Sequence, residues 1–466
     1  MRILSTFICM LALGVMGCGE TAGDPGGSGG DGGMGGGGTG GTDLCEGIDC
    51  DDGSDCTEDV CADGVCSNNA IADDTECDFG EHPGLCTSGI CQGVCEGIDC
   101  DDGNECTENT CDPADGSCDS TPLPDGSFCT GGYCENTECD PIASLFPCTE
   151  QGIRDAIEAG GGPHGFDCDG PTSVPIAATI EIDNDVILDG LDELTVGRDA
   201  NLTATLLLVP EGTQADIRRL RVTDSWLGIA GVTNSGSLTL TRCMVFNNGG
   251  AGISSSAGTL ELVQSVVSGN GVAHDHVNDV GIRVSGGVAM LSGSRVSSNA
   301  FGIYNGGGLV TIRNSTISHN RWSCCGRFGC GTCPGVGISN SATMEVVHST
   351  VTNNDIGIRN AGTLTLAGTL VAGTCGGSAV TSLGHNIQSP GATCGFDQPT
   401  DQVNVSADDL MLGLLQDNGG PTETHALGEG SVAIDVIPAD MCEVDEDQRG
   451  FPRDSMCDVG AFEVQP

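Results

Sequence analysis

The chain has 466 residues, enough for two to four domains, and its 66 acidic and 15 basic residues give a formal charge of −51. Every basic residue apart from histidine is arginine, and this acidic balance excludes nucleic acid as a partner. Aromatic residues make up only 3%, which disfavours a large helical enzyme, and the 29 cysteines indicate an oxidising compartment.

The first 17 residues have the pattern of an export signal. An apolar run over residues 3–16 is too short to span a bilayer, and it ends just before Cys18. This resembles the signal of bacterial lipoproteins, in which the chain is cut before a cysteine that is then lipidated. We therefore expect Cys18 to anchor the protein in a membrane and the glycine-rich residues 18–42 to form a flexible linker. The resemblance implies display at the cell surface, on the outer membrane.

A cysteine-rich module follows the linker. Residues 43–140 contain 16 of the cysteines and 27 acidic residues but no arginine or lysine. The segments 43–94 and 95–140 are tandem repeats, because Cys45-EGID-Cys50 recurs as Cys95-EGID-Cys100. Such an acidic segment cannot build a large apolar core, so the sequence predicts that disulfides hold each repeat together.

Carboxylates alternate around a glycine in each repeat, an arrangement that can wrap a hard cation such as calcium. The alternative interpretation is a solvated acidic loop without metal, and the sequence points to no other cofactor. The candidate calcium ligands are Asp49, Asp51, Asp55, Asp99, Asp101 and Glu105.

From residue 217 onward the chain repeats every 20–24 residues, with insertions set aside. Each repeat carries three short apolar segments, such as Leu238/Leu240, Val245 and Ile253, and each segment is too short for a helix. Stacked in register, they predict a parallel β-helix over residues 141–398, with right-handed coils as the expected chirality. A recurring asparagine confirms the period, and Cys243 falls on a position that is Ser or Thr in the other repeats. The asparagines are Asn248, Asn270, Asn299, Asn320 and Asn354.

Thr149 is suited to begin a helix whose apolar face would cover the first coil, and Gly160 would end it. The remaining cysteines occur in even local groups apart from Cys243, so we expect local disulfides. In the group at 324–333, two disulfides are favoured over a zinc site. The other proposed pairs are Cys148 with Cys168, Cys375 with Cys394 and Cys442 with Cys457.

Two segments resemble secreted bacterial β-helix proteins. Cys148-TEQGIRDAI is loosely similar to the CSLREA-type signature at the start of such proteins. The C-terminal motifs are similar to the choice-of-anchor Q family: Asp417-Asn-Gly-Gly-Pro-Thr, Thr424-His-Ala-Leu, Asp447-Gln-Arg-Gly and Cys457-Asp-Val-Gly-Ala-Phe-Glu. The resemblance implies surface display and does not imply an enzyme.

The same C-terminal segment, residues 399–466, is predicted to cover the end of the coil, because an open solenoid end leaves strands unpaired. Its polar residues could suggest catalysis. We interpret them instead as groups that pair with one another inside this cover: His425, Asp435, Asp447 and Arg449.

One corner of the coil carries two long insertions together with four of the six aromatic residues between 217 and 373. Insertions on one side of a solenoid commonly form its binding side, and aromatic residues with arginine commonly anchor partners. We therefore expect substitutions elsewhere, at Arg242 or His348, to leave binding unchanged. The predicted binding edge consists of Trp226, His274, Asp275, His276, Asp279, Phe301, Arg321, Trp322, Arg327 and Phe328.

The sequence thus predicts an all-β protein: a right-handed parallel β-helix with an N-terminal capping helix, preceded by a disulfide-rich tandem-repeat module. Its expected role is that of a surface-anchored lipoprotein that binds an extracellular glycan or protein. The alternative is a polysaccharide lyase or glycoside hydrolase on the same scaffold. The five acidic residues of the region 229–373 form no stacked set in the repeat register, which favours binding over catalysis.

Overall fold

The computed structural model describes residues 48–465 with eleven short gaps. The segment predicted as the export signal, Cys18 and the whole glycine-rich linker lie outside the described residues, as do the tips of both long insertions. The gaps are residues 74, 80–81, 96–97, 113–115, 124–126, 130–131, 136, 272–279, 322–324, 327–328 and 331–333.

The chain divides into two compact units, one comprising residues up to 99 with 111–118 and the other comprising 100–110 with 119–466. In the first unit, disulfides take the place of an apolar core: Cys56, Cys77 and Cys86 are its buried centre. The pairs are Cys50–Cys66, Cys56–Cys86, Cys77–Cys91 and Cys95–Cys111. Its strands are Thr57–Ala62, Val65–Ala70, Glu76–Phe79, His82–Thr87 and Ile90–Gly93, all antiparallel.

The second repeat reuses the same pairing. Cys106–Cys134 corresponds to Cys56–Cys86, and Cys129–Cys139 corresponds to Cys77–Cys91. The internal duplication of the sequence is therefore also a duplication of disulfide connectivity. The strands of this repeat are Thr107–Cys111, Cys118–Pro122, Phe128–Cys129, Gly132–Glu135 and Glu138–Pro141.

The N-terminal helix, Glu150–Ala159, begins as its sequence predicts. The Thr149 side chain accepts a hydrogen bond from the backbone N–H of Gly152, and Gly160 ends the helix with a positive φ of 64°. The buried face contains Ile153, Ala156 and Ile157, which join the main apolar core. The disulfide Cys148–Cys168 lies beside this helix.

The coil consists of three parallel sheets, and each turn of the chain contributes one strand to each sheet. Sheet A contains Ser144–Pro147, Gly161–Asp167, Val186–Asp189, Gln214–Arg218, Ser237–Thr241, Thr259–Val263, Val288–Ser292, Leu309–Arg313, Thr343–Val347, Thr363–Ala367 and Thr381–Ser382.

Sheet B contains Thr172–Ile176, Leu194–Arg198, Arg221–Thr223, Met244–Phe246, Val266–Ser268, Arg295–Ser297, Thr316–Ser318, Thr350–Thr352, Leu370–Ala372 and Ile387–Ser389. Sheet C contains Ile180–Glu181, Leu207–Val209, Val232–Asn234, Ile253–Ser255, Val280–Val284, Phe301–Asn305, Val336–Asn340, Ile356–Asn360 and Cys375–Gly377. The parallel β-helix predicted from the repeat is confirmed.

The predicted apolar positions are stacked in the core with the register read from the sequence. Leu238 and Leu240 lie opposite Leu260 and Leu262, and Val245 lies opposite Val267. Because side chains alternate along a strand, the intervening residues face outward. These inward positions form one continuous apolar cluster along the coil.

Buried hydrogen-bonded ladders join neighbouring coils at the turns. The backbone N–H of Asn248 donates to Asn270 Oδ1 at 3.0 Å, and the same contact recurs from Asn270 to Asn299, from Asn299 to Asn320 and from Asn320 to Asn354. A second ladder runs from Cys243 through Ser265, Ser294, Ser315 and Ser349. A third ladder, which the sequence analysis did not predict, joins Asn305, Asn340 and Asn360.

Cys243 is buried and free of a disulfide, in line with its place in the second ladder. Burial raises the pKa of its thiol to about 12, so the thiolate is not populated at neutral pH. Its Sγ lies 3.2 Å from the carbonyl oxygen of Ile217. Cys243 is therefore a structural residue of the coil.

The end cover predicted for residues 399–466 needs a correction. The start of this segment pairs with the last coil: Gln402 N–H donates to the carbonyl oxygen of Asn386, and Asn386 N–H donates to the Asp401 carboxylate. The remainder, residues 406–465, runs back along sheet B, and we call it the C-terminal flank. Thr422 donates to the carbonyl of Gly293, and Ala461 N–H donates to Thr350 Oγ1.

The sequence of sheet B explains why the flank lies there. The strands Thr316–Ser318 and Thr350–Thr352 are buried on both faces, and Leu370 and Ile387 face outward in the following coils. Such strands need a cover on their outer side. Leu410, Leu427, Ile437 and Val459 of the flank pack against Leu370 and Ile387 in a second apolar cluster.

The flank itself contains a short helix, Ala407–Leu410, and a 3-10 turn, Ala439–Met441. Two antiparallel pairs complete it, Leu412–Gln416 with Thr424–Leu427 and Ile437–Pro438 with Met456–Cys457, together with the disulfide Cys442–Cys457. The disulfide Cys375–Cys394 lies at the end of the coil, and Cys325–Gly326 pairs with Gly329–Cys330 inside the second insertion.

The polar residues of the C-terminal motifs form ion pairs and hydrogen bonds with one another and with the coil. Arg449 forms an ion pair with Asp447, and Asp435 N–H donates to Asp458. The buried His425 bridges Ser318 Oγ and the carbonyl oxygen of Gly413, at 2.8 Å each. Burial lowers the pKa of His425, which keeps the ring neutral at physiological pH.

Candidate functional site

The predicted binding edge lies at the corner where the chain passes from sheet B to sheet C. Successive coils stack there through backbone hydrogen bonds, for example Gly249 N–H to Ser225 O and Arg321 N–H to Asn299 O. Trp226, Phe301 and Arg321 all belong to this corner. The predicted residues of the two insertions lie outside the described residues: His274, Asp275, His276, Asp279, Trp322, Arg327 and Phe328.

Trp226 forms one side of an open groove of about 350 Å³, which we call the Trp226 groove. The Trp226 side chain is 38% exposed, and the Arg198 guanidinium lies 4.9 Å from the centroid of its ring. Leu227 is 45% exposed beside it. The other wall carries Asp224 and Asn247, which add hydrogen-bonding groups to this apolar surface.

The backbone shapes this groove. Gly249 has Trp226 and Leu227 backbone atoms only 2.8 Å from where a Cβ would stand, so a side chain at this position would collide with the preceding coil. Asn247 adopts a left-handed φ of 52°, which places the turn outside the regular strand path. The groove therefore combines an aromatic face with polar groups on a fixed frame, an arrangement suited to a sugar ring.

Phe301 and Arg321 extend the same corner along the coil axis. Phe301 opens the strand that pairs with Val280 and Val336 and is half-buried. Arg321 is exposed, and its Nε donates to the carbonyl oxygen of Asn353. The described part of the predicted edge is thus shared by several coils rather than gathered in one pocket.

A second groove, which the sequence analysis did not predict, lies at the opposite turn, between sheets A and B. The residue just before each position of the second ladder, or its equivalent in other coils, commonly has a left-handed φ, and in three consecutive coils this residue is long and polar. These three residues are Arg219 (47°), Arg242 (53°) and Gln264 (48°). With Asp447 and Gln448 of the C-terminal flank they line a space of about 620 Å³, which we call the turn groove.

The turn groove contains paired charges. Arg219 forms a buried ion pair with Asp189, Arg218 pairs with Asp216, and Arg242 Nε donates to Gln264 Oε1 at 3.0 Å. These pairs satisfy the buried guanidinium and carboxylate groups, so their first role is structural. The sequence carried a signal for this groove, because Arg242 and Gln264 directly precede Cys243 and Ser265, and Arg219 precedes Leu220 at the equivalent position.

This geometry concerns two residues whose substitution the sequence analysis expects to leave binding unchanged. Arg242, selected as a residue remote from binding, lines the turn groove. His348 is only 1% exposed beneath the C-terminal flank, where its Nε2 accepts from Glu443 N–H at 3.3 Å. Burial lowers its pKa to about 3, and replacing it would disturb the fold. Neither residue can serve as a silent control.

Of the predicted calcium ligands, only Asp51 belongs to a cluster of acidic side chains found among the described residues. It lies with Asp52 and Asp59, which the prediction did not include. Asp102, the equivalent of Asp52, accepts from Asn104 N–H, Asn109 and Ser120, and these hydrogen bonds lower its pKa to about 2. The acidic turns are therefore ordered by their own hydrogen bonds, and calcium binding stays a prediction.

Comparisons with known proteins agree with this architecture. Residues 206–381 match the family model described as right-handed beta helix region. The coil is a right-handed β-helix. Among solved structures, pectate lyase Pel9A is similar at 13% identity and a TM-score of 0.46, covering 70% of this chain and 97% of that one. The complex of XylC with xylose is similar at 9% identity and a TM-score of 0.35, covering 61% and 67%.

No curated protein matches the β-helix chain in sequence. Across the described part of the chain, every helix is too short or too polar to cross a bilayer.

Proposed function

We propose that this β-helix protein is an exported carbohydrate-binding protein held at the cell surface, and that the Trp226 groove is its sugar site. The observation that carries the proposal is the exposed Trp226 ring with Arg198 at 4.9 Å, set beside the polar groups of an open groove. Aromatic faces pack against the apolar faces of sugar rings, and neighbouring amides and carboxylates bond their hydroxyls. A protein partner is the other class of ligand for this edge.

Replacement of Trp226 by alanine tests this site. Exposed, well-packed aromatic residues dominate binding energies, so Trp226→Ala should weaken glycan binding by at least about 30-fold, corresponding to about 2 kcal/mol. The stability of the coil should change by less than about 1 kcal/mol, since the ring is partly exposed and lies outside the core. Affinity electrophoresis on a panel of neutral and acidic polysaccharides gives the readout, with thermal unfolding measured in parallel.

Phe451→Ala is the matched control. Phe451 is also exposed, at 41%, and an arginine, Arg449, lies 4.6 Å from its ring centroid, but it belongs to the C-terminal flank. Its removal should leave glycan affinity unchanged. Equal binding by wild type and Trp226→Ala would reject the site, and turnover of a polysaccharide would favour the lyase or hydrolase alternative.

Anchoring through Cys18 is part of the same proposal. Cys18 is the acceptor of the lipid in the lipoprotein interpretation of the export signal, and the following linker would let the β-helix reach away from the membrane. Cys18→Ser should leave the protein unprocessed or soluble, as shown by fractionation and by the mass of the mature N-terminus. A processed Cys18→Ser protein that still sediments with membranes would contradict this anchor.

A further inference from the structure

The outer face of sheet C carries a row of polar side chains in exact strand register. Arg283 lies opposite Tyr304, Tyr304 opposite Ser339, and Ser339 opposite Arg359. We call these four residues the sheet C stripe. Each one directly follows a fully buried isoleucine, so alternation along the strand places it on the outside. The four isoleucines are Ile282, Ile303, Ile338 and Ile358.

The stripe runs along the coil axis. Adjacent strands of a sheet are about 4.8 Å apart, so the three steps from Arg283 to Arg359 span roughly 14 Å. The Arg283 guanidinium lies 5.1 Å from the centroid of the Tyr304 ring, which holds its charge over the sheet. Arg359 is exposed at the other end, and Tyr304 and Ser339 lie between the two arginines in the strand register.

The charge of this face contrasts with that of the whole chain. In the strand register, the positions that precede Arg283 are Glu181, Leu208, Thr233 and Ser254, and the position that follows Arg359 is Gly376. Arginine therefore supplies the charge from Leu208 to Gly376, and the acidic Glu181 lies four strands before Arg283. The outer face of sheet A, by comparison, carries Glu261 and Glu345. A protein of net charge −51 thus presents two arginines, Arg283 and Arg359, within four consecutive strands of this row.

We propose that the sheet C stripe binds a linear anionic polysaccharide lying along the coil axis. Guanidinium groups bind carboxylate or sulfate groups with charge-assisted hydrogen bonds, and the two hydroxyls between them suit the uncharged groups of the sugar. Nucleic acid carries a charge every 1.7 Å along its axis, a far denser array than two guanidinium groups roughly 14 Å apart can match. The inference rests on the proposed carbohydrate-binding function and adds the chemical class of the ligand.

The test measures binding of the full chain to alginate, which carries carboxylates, to dextran sulfate and to neutral dextran, over a range of salt concentrations. Wild-type affinity for one or both anionic polymers should fall steeply with salt, because exposed charge pairs are screened. The variant Arg283→Gln/Arg359→Gln should bind the same polymer at least 30-fold more weakly at low salt. Arg313→Gln is the matched control, since Arg313 is an exposed arginine on sheet A, 3.9 Å from Glu345.

The outcomes separate this inference from the Trp226 groove. Two results would reject the sheet C stripe as the binding site for anionic polysaccharide: unchanged binding of both anionic polymers by the double variant, or binding of neutral dextran alone. Neither result would contradict the Trp226 groove as a sugar site. Loss in the double variant but not in Trp226→Ala supports the stripe and moves the sugar site away from the groove. Tighter binding of DNA than of either anionic polymer overturns the choice of ligand. Circular dichroism should show an intact fold in every variant, since all substituted residues face outward.

Discussion

Asn299→Ala should destabilise the coil by about 3–5 kcal/mol. The Oδ1 of Asn299 accepts from both the backbone N–H and the side-chain amide of Asn270, at 2.9 Å each. Its own side-chain amide donates to Asn320 and to the carbonyl of Val267. The substitution removes these four buried hydrogen bonds and takes the side-chain partner away from the Asn270 backbone N–H and the Val267 carbonyl, and each buried group left without its partner costs about 1–3 kcal/mol. The Tm of the coil should fall by roughly 10 °C in thermal unfolding followed by circular dichroism.

Asn201→Ala provides the comparison. Asn201 is exposed in a loop, where it bonds only the neighbouring Asp199, and its replacement should change the stability by about 0.5 kcal/mol or less. A similar Tm for the two variants would show that the asparagine ladder contributes little to stability.

Arg453→Met should release the C-terminal flank from sheet B while the coil stays folded. The Arg453 side chain is 1% exposed, bonds Glu463 Oε2 at 2.8 Å and reaches Asn314 Oδ1 of the coil at 3.1 Å. Its loss leaves the Glu463 carboxylate buried without its counter-charge, which costs about 3–5 kcal/mol. Amide hydrogen exchange should rise across residues 443–463 and stay slow in the core strands of the coil.

A second substitution separates loss of charge balance from loss of packing. In Arg453→Met/Glu463→Gln no unpaired charge remains, so the double variant should be more stable than Arg453→Met alone. Arg313→Met removes an arginine that is 38% exposed and should leave exchange in the flank unchanged. Fast exchange throughout the coil of Arg453→Met would mean that coil and flank unfold as one unit.

The sequence was a good guide to the coil because neighbouring coils are joined by contacts that recur at almost constant separation. Asn248 and Asn270 are 22 residues apart, and Asn299 and Asn320 are 21 apart, so the same residue type returns at the same place in each turn. The separations of 29 and 34 residues mark the two insertions. Local periodicity therefore specifies both the core and the buried ladders.

The place of the C-terminal flank could not be read in this way. Its contacts with the coil join residues such as Thr422 and Gly293, which are 129 positions apart and share no period. The outward residues of sheet B, Leu370 and Ile387 among them, indicate that something covers this face but not which segment. The turn groove was missed for the same reason, since one of its walls belongs to the flank.

The ladders also impose an order of assembly on the chain as it emerges N-terminus first. In each contact the earlier coil supplies the backbone N–H and the later coil supplies the side-chain oxygen, from Ser225 and Asn248 onward. The last coil to have folded therefore has a backbone N–H without its side-chain acceptor until the following coil folds onto it. At the last coil the same direction holds at the positions of the second ladder, where Thr369 N–H donates to Asn386 Oδ1 and Asn386 N–H donates to the carboxylate of Asp401. Each coil thus depends on the following coil for a hydrogen-bond acceptor, and at the last coil Asp401 supplies that acceptor.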